Sequence, residues 1–380
     1  MAELKFRNDL LAEKAAAPSV CGCPSPSDAQ EKPRWVTGTV PAGSSAVDTV
    51  STDLSRADRW EHVRCRTSAF RESYVVKPGL YAIGSPDKGS DVFVSANYKL
   101  SFDHLRVALK GLNCWVLVLD TKGINVWCAA GKGTFGTDEL VRRITLARLN
   151  EVVDHRNVIV QQLGAVGVSG FKVRRASGFR VLYGPVYAKD IPAYVSAGHK
   201  ATPEMREVRF PLRDRLVLTP MEINPAMKKY YPWFALLILL FFGLRPSGII
   251  FKDALSGGLP FLGLGLVAVL AGAFLTPLLL PLVPARSFAL KGWLVGLVLT
   301  GLALDVLRPA GSDMLLLVAA FLFFPMASSY IALQFTGSTT FTGMSGVKKE
   351  LRISIPIYIA SVAVSIILLM IYKTEHWGAL

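Results

Sequence analysis

WVLVLDTKGINVWCAAGKGTFGTDEL, residues 115–140, passes from a short apolar run through a glycine-rich segment into a charged helical pattern. WVLVL (115–119) is of strand length and rich in β-branched and aromatic residues. Upstream, VFVSA (92–96) reads as another strand, and residues 102–111 read as a helix opened by Ser101 as its N-cap. Downstream, the pattern gives a helix near 138–149 and strands at 157–161 and around VLY (181–183). Strands alternating with helices predict an α/β domain with a largely parallel, Rossmann-like sheet. Ligands of such sheets bind beyond the carboxyl ends of the strands, which directs attention to the segment after Asp120.

That segment holds Gly131-x-Gly133-x-x-Gly136, with Asp154 further on, so a dinucleotide fingerprint has to be weighed. The fingerprint makes its tight turn directly off the strand, whereas Gly131 stands eleven positions beyond Asp120, which argues against it. Cys128 is more informative. It sits beside Trp127, two alanines and Lys132, a setting in which a backbone can approach a large planar ligand and a cation can stabilise a thiolate. A structural cysteine is the competing reading of the same residue.

Composition sets the wider frame. Of 380 residues 51% are hydrophobic and 18% charged, and the mean hydropathy is +0.39, too apolar for a fully solvated globule or a disordered chain. The net charge of +14 divides unevenly: residues 1–231 hold 33 Lys/Arg against 23 Asp/Glu, and 232–380 hold 9 against 5. A basic soluble half beside a membrane half is accounted for by anionic lipid headgroups and calls for no nucleic acid. Residues 1–60, rich in Ala, Ser, Pro and charge, read as a poorly ordered leader, and 61–228 as the soluble domain. The five cysteines form neither a disulfide framework nor a C-x-x-C pair, consistent with reduced thiols in the cytosol. Among them Cys114 reads as core, Cys65 has no distinctive context, and Cys21-Gly-Cys23 is a soft thiol pair within the leader.

Residues 232–380 read as an all-α transmembrane domain of five spans, about 232–251, 259–283, 288–307, 314–335 and 353–372. Gly243-Leu-Arg-Pro246 interrupts the first, and Pro260, Pro277 and Pro281 fall in the second, so both are candidates for breaks. With the soluble domain inside, Lys228, Lys229, Arg286, Lys291, Lys348, Lys349 and Arg352 flank the inner ends, against Lys252, Arg308 and Lys373 outside. The positive-inside rule therefore predicts a multi-pass protein of the cytoplasmic membrane with its soluble domain in the cytoplasm. Ionisable residues within the spans are few, Arg245 and Asp305, which weakens an ion-path reading. The connection TGSTTFTGMSGVKKE (336–350) reads either as a ligand- or domain-docking loop or as a flexible polar loop ended by a basic anchor.

Asn125-Val-Trp-Cys-Ala-Ala-Gly-Lys132 resembles the signature of the mercury-methylation corrinoid protein family, HgcA, whose soluble domain is similar to the corrinoid-binding domain of the corrinoid iron–sulfur protein of the acetyl-CoA pathway. The resemblance runs from about residue 74 to the C-terminus. It takes in VKPGLYAIGSPD (76–87), VSANYKLSFDHLR (94–106), QLGAVGV (162–168), SGFRVLYGPVYAKDIPAY (177–194), ATPEMR (201–206), the spans and the 336–350 connection. Gln161 and Phe171 depart from the family, which more often has Pro and His there, and these positions bear on one wall of the pocket.

The resemblance implies a corrinoid cofactor, cobalamin or a related cobamide, with Cys128 as the lower axial ligand of its cobalt. Many corrinoid enzymes supply a His from D-x-H-x-x-G, and no Asp-x-His occurs here; His62, His104, His155, His199 and His376 stand in other contexts. A soft thiolate raises electron density on the metal it binds. That suits methyl transfer to Hg(II), an electrophile that takes methyl as a carbanion equivalent or a radical. The implied binding residues are Asn125, Val126, Trp127, Cys128, Ala129, Ala130, Gly131 and Lys132, with Gly164, Ala165, Val166 and Gly167 and with Gly184 and Pro185 as pocket-edge loops. Implied partners are a ferredoxin-type 4Fe-4S electron donor (HgcB in the family), a methyl donor protein or methyl-folate route, and a Hg(II)-thiol substrate in an anaerobic host. Three other functions compete: a methyl carrier of the acetyl-CoA pathway, a dinucleotide-dependent membrane oxidoreductase, and a membrane receptor.

Overall fold

A computed structural model describes residues 32–307, 313–338, 342 and 344–377. A seven-stranded sheet of order β1-β2-β3-β5-β4-β6-β7 organises the first half: β1 (Val36–Ala42), β2 (Ser45–Val50), β3 (Gly79–Ile83), β4 (Val92–Ala96), β5 (Cys114–Leu119), β6 (Asn157–Val160) and β7 (Arg180–Tyr183). Helices α1 (Arg56–Thr67), α2 (Lys99–Ala108), α3 (Val126–Lys132), α4 (Thr137–Leu146), α5 (Gly170–Ser177) and α6 (Ile191–Ser196) accompany it. The run β5-β4-β6-β7 is parallel, β3 is antiparallel to β5, β2 pairs parallel with β3, and β1 is antiparallel to β2 at the edge.

Every residue of β4 and β5 is buried, because helices cover both faces of the sheet. Val94, Trp115 and Leu117 join Leu140 and Ile144 of α4 in one core layer. Phe93, Val116 and Val118 join Phe102 and Leu105 of α2 in the other. Cys114 is buried in that second layer, as expected of a core residue. From β4 the chain moves to β5, and from β6 it moves the opposite way to β7, so the point where the strand order reverses falls between β4 and β6.

Two expectations are corrected here. The leader read over 1–60 is folded from Val36 onward; residues 1–31, with Cys21 and Cys23, lie outside the described residues. VTGTVPAGSSAVDTV alternates around a turn at Gly43 (φ +58°) and extends the sheet, and Ser55 with Asp58 forms a capping box that starts α1. The helix expected at 102–111 under a Ser101 cap begins earlier, at Lys99, with Tyr98 at the cap and no side-chain bond there. The reason is tertiary. Lys99 must be helical to place its ammonium 2.6 Å from Asp103 Oδ1, four residues on, inside a buried ion cluster.

That cluster fastens the leader to the sheet. Asp103 Oδ1 also accepts from Arg106 Nε at 2.7 Å, and Oδ2 accepts from His62 Nε2 at 2.9 Å and Tyr74 Oη at 3.2 Å. Arg106 reaches on to the carbonyls of Ser51 and Asp53 and to Asp58 Oδ2. Burial raises the Asp103 pKa, but the His62 hydrogen bond and the Lys99 and Arg106 charges outweigh it and hold the carboxyl below the usual range.

The second half is helical. α7 (Leu212–Pro225) runs through a π-turn, Ala226–Tyr230, into α8 (Tyr231–Gly243). After a two-stranded hairpin come α9 (Phe251–Leu278), α10 (Phe288–Leu307), α11 (Met314–Gln334) and α12 (Met344–His376). Among the described residues, four helices are long and apolar enough to cross a membrane, in α9 to α12. The first expected span, 232–251, is corrected: its helix stops at Gly243, and Leu244–Ile249 form the hairpin. Leu244 is already extended, Pro246 lacks the N–H a helix needs, Gly248 takes φ +123°, and Arg245 turns back to Asp253 at 2.8 Å. Pro260 by contrast is carried within α9. The α10–α11 seam is made of small residues and back-bonding serines: Ser328 Oγ donates to the Gly292 carbonyl and Ser329 Oγ to that of Ala289.

Candidate ligand cleft

The chain after β5 is organised by one side chain that sequence reading passed over. Asn97 Oδ1, at the end of β4, accepts from Thr121 N, Thr121 Oγ1 and Gly123 N at 2.8–3.0 Å. This pins the β5 loop to the neighbouring strand at the carboxyl edge. Gly123 has φ +71°, and a Cβ there would stand 2.8 Å from Val75 Cγ1, so the turn requires glycine. Asn125 then caps α3, its Oδ1 accepting from Cys128 N at 2.8 Å. Cys128 therefore occupies the first turn of a short helix at the strand ends, half-buried.

Helical spacing divides the motif. Asn125, Cys128 and Lys132 face a cleft of about 690 Å³, whereas Val126, Ala129 and Ala130 are buried in the core layer against the sheet. Trp127 is half-buried, and Gly131 is exposed, with open space where a Cβ would stand. Gly164 and Gly167 pack on the opposite side of α3 from the cleft. A Cβ on Gly164 would stand 2.5 Å from Phe135 Cε1, and one on Gly167 2.2 Å from Phe135 O and 3.1 Å from the Ala130 Cα. Ala165 is half-buried and Val166 exposed. Gly184 and Pro185 are buried after β7, and neither they nor residues 164–167 line the cleft. The implied binding residues are thus split between a cleft wall and the packing behind it.

We expect Gly167→Ala to push α3 away from the 162–167 loop and to destabilise the protein by about 1–3 kcal/mol, through overpacking rather than through φ. Thermal melting of the full chain checks this.

The other walls come from regions that the sequence reading did not connect with the site. The end of α1 and the turn after it contribute Cys65, Arg66 and Arg71, and α7 with the π-turn contributes Met221, Asn224 and Lys228. Asn224 Nδ2 donates to the Thr67 carbonyl at 2.5 Å, joining α7 to α1. Two thiols therefore share the cleft. Cys65 is 1% exposed and donates to the His62 carbonyl, and burial pushes its thiol pKa up, so it remains protonated. Cys128 is the more accessible of the two. Arg66, Arg71, Lys122, Lys132 and Lys228 against Glu72 make the lining cationic, suited to a ligand with anionic substituents.

The donor set is informative as well. No histidine lines the cleft, and among the described residues no three or more His, Cys, Asp or Glu are grouped to hold a metal ion. Cys65 is buried and protonated and Met221 Sδ accepts from Arg71, which leaves Cys128 as the accessible thiol, and one such donor beside a large cleft fits a metal already held in its own macrocycle better than a bare ion. The volume lies within the usual range for ligand and cofactor sites. The dinucleotide reading loses its geometry: Gly131 is inside α3, Gly133 ends it with φ +83°, and Gly136 starts α4, so none forms the turn off β5.

Fold and cleft together define an α/β ligand-binding domain carried on a helical, membrane-type region. Residues 68–195 match the family model described as CO dehydrogenase/acetyl-CoA synthase delta subunit. The chain is similar to the acetyl-CoA decarbonylase/synthase complex subunit gamma of Methanopyrus kandleri, 33% identical over 127 residues, which is 33% of this chain and 27% of that protein. The corresponding subunit of Archaeoglobus fulgidus is 31% identical over 113 residues, 29% of this chain and 24% of the other. The corrinoid/iron-sulfur protein large subunit of Moorella thermoacetica is 27% identical over 124 residues, 32% and 27% of the two chains. The chain thus spans about a quarter of these relatives' length. The family match falls in the sheet domain, and it supports a corrinoid-binding relationship there. The β1–β2 hairpin, all of α1 and the helical half lie outside the matched segment.

Proposed function

We propose that the chain is a membrane-anchored corrinoid protein that transfers a methyl group to inorganic Hg(II), forming methylmercury, with Cys128 as the residue that would bind the corrinoid's cobalt. The observation that carries the corrinoid reading is the half-buried Cys128 in the first turn of α3, facing a large cleft with no histidine on its walls. The mercury acceptor rests on the resemblance of residues 125–132 joined to a helical tail. A bound corrinoid supplies a cobalt-carried methyl group, which a thiolate donor makes more readily taken by an electrophile.

The chain's own residues do the rest. Asn125 occupies the Cys128 backbone N–H and so fixes the turn that presents the thiol. Asn97 fixes the loop behind it. The cationic rim holds anionic parts of the cofactor or of a Hg(II)-thiol complex. A separate ferredoxin-type protein supplies electrons and a methyl donor protein or methyl-folate route supplies the methyl group, and the basic flanks along the sequence support a soluble domain on the cytoplasmic side. The second reading, favoured by the similarity to acetyl-CoA pathway subunits, is a membrane-anchored methyl carrier with a different acceptor.

One experiment separates them. Full-length protein loaded anaerobically with methylcobalamin is mixed with Hg(II)-thiol, and methylmercury is quantified in a single turnover. Formation approaching one equivalent per loaded protein supports mercury as acceptor. Retention of the methyl group in the presence of Hg(II), with its loss to an acetyl-CoA synthase, moves the carrier reading to the front.

A further inference from the structure

An apolar groove of about 230 Å³ lies between α8, α9 and α11, apart from the ligand cleft. Its walls include the rings of Tyr230, Phe234 and Phe323, and its floor is made of Gly265, Ala268 and Ala327. Phe234 and Phe323 stack at 6.0 Å, interplanar angle 8°. The small floor keeps the groove open: a Cβ on Gly265 would already stand 2.5 Å from Phe234 Cε1. Tyr230 is 54% exposed, so one side opens outward onto the surface of an apolar helical region, where the surrounding solvent is lipid.

Charge stands beside the groove, next to one of its rings. Tyr230 ends the π-turn that carries Lys228 and Lys229, and Lys229 Nζ stands 5.3 Å from the Tyr230 ring centroid. An ammonium is thereby held over a ring that lines the groove, with a second beside it in the chain, at the junction between soluble and apolar halves. We propose that this groove binds an anionic phospholipid, one acyl chain between the aromatic walls and the phosphate at Lys228 and Lys229. A neutral phospholipid or an isoprenoid quinone matches the apolar walls but leaves the Lys229 ammonium at the Tyr230 ring without a counter-charge. The same π-turn presents Lys228 to the ligand cleft, so the lipid contacts the helix segment that forms one cleft wall.

The test is native mass spectrometry of the full chain in mild detergent, titrated with phosphatidylglycerol and phosphatidylcholine of identical acyl chains. The expected result is retention of phosphatidylglycerol at least tenfold over phosphatidylcholine. Lys228→Gln with Lys229→Gln should remove a tenfold preference or more. Lys229→Gln alone, which leaves the cleft wall unaltered, should lower it severalfold. Ala268→Leu, which fills the floor, should weaken both lipids. Equal retention of the two lipids overturns the proposal, as does an unchanged preference in the lysine variants, which lie on exposed surface and so keep the test decisive if the floor variant misfolds. A co-purifying quinone that phosphatidylglycerol fails to displace overturns it too.

Discussion

Cys128→Ala is expected to insert in membranes normally and to lose at least about a hundredfold in methyl transfer to Hg(II). The magnitude follows from its place in the site. Even residues that only orient a metal ligand change affinity or activity 10–100-fold when replaced, and Cys128 is proposed as the ligand itself. The fold tolerates the change because Cys128 is half-buried on the cleft face of α3, while Val126, Ala129 and Ala130 supply that helix's packing. The Asn125 cap bonds the backbone N–H at 128 and is kept in the variant. Cys65 shares the cleft but is buried and protonated, so it does not substitute. A shift in the visible spectrum of the loaded protein should accompany the loss of activity. Methylation at the parent rate, with an unchanged spectrum, would remove Cys128 from the role.

The central strands were legible in the sequence for a physical reason. VFVSA and WVLVL are apolar on both faces, and only a strand covered by helices on both sides needs that. The edge of the sheet was harder to read. VTGTVPAGSSAVDTV alternates with Ser and Thr rather than with charge, and its high content of small residues imitates a linker. Its capping signal, Ser55-x-x-Asp58, was nevertheless present and would have located α1. What holds α1 is a buried ion cluster between residues some 41 to 48 positions apart, and no local period announces such a contact.

The site was legible only on one face. Cys128 and Lys132 were read onto a common cleft, and helical spacing from 125 would have removed Ala129 and Ala130 from its lining. Gly164 and Gly167 were singled out for their glycine content, and close approach to Phe135 and Ala130 requires it. The far wall was invisible, because it is built from the end of α1 and from α7, which sequence places about 150 residues apart and Asn224 joins. Asn97 has a recognisable signal in hindsight, a polar amide directly after an apolar strand at the ligand edge of a parallel sheet.

Asp103→Asn should destabilise the sheet domain by about 3–5 kcal/mol. Asp103 is fully buried and receives Lys99 at 2.6 Å and Arg106 at 2.7 Å, so the amide would leave two buried cations facing one remaining carboxylate, Asp58, at 3.5 and 3.2 Å. The loss is local in structure, since Arg106 also carries the carbonyls of Ser51 and Asp53, which lead into α1. Hydrogen exchange should therefore show residues 36–67 opening before β4 and β5, and the α1 wall of the ligand cleft opening with them. The same cluster sets the pH limits. The Asp103 and Asp58 carboxyls lie below their ordinary value, so their contribution is present above about pH 4 and is lost as pH falls through the folded values. Burial and the Asp103 charge raise the Tyr74 phenol, so its contribution holds below about pH 10 and is lost as pH rises beyond it. Denaturant midpoints of the full chain should form a plateau between those limits, and Asp103→Asn should lower the plateau and flatten its acid edge. A variant that keeps the parent midpoint and the parent exchange pattern would show that the leader is held by apolar contacts alone.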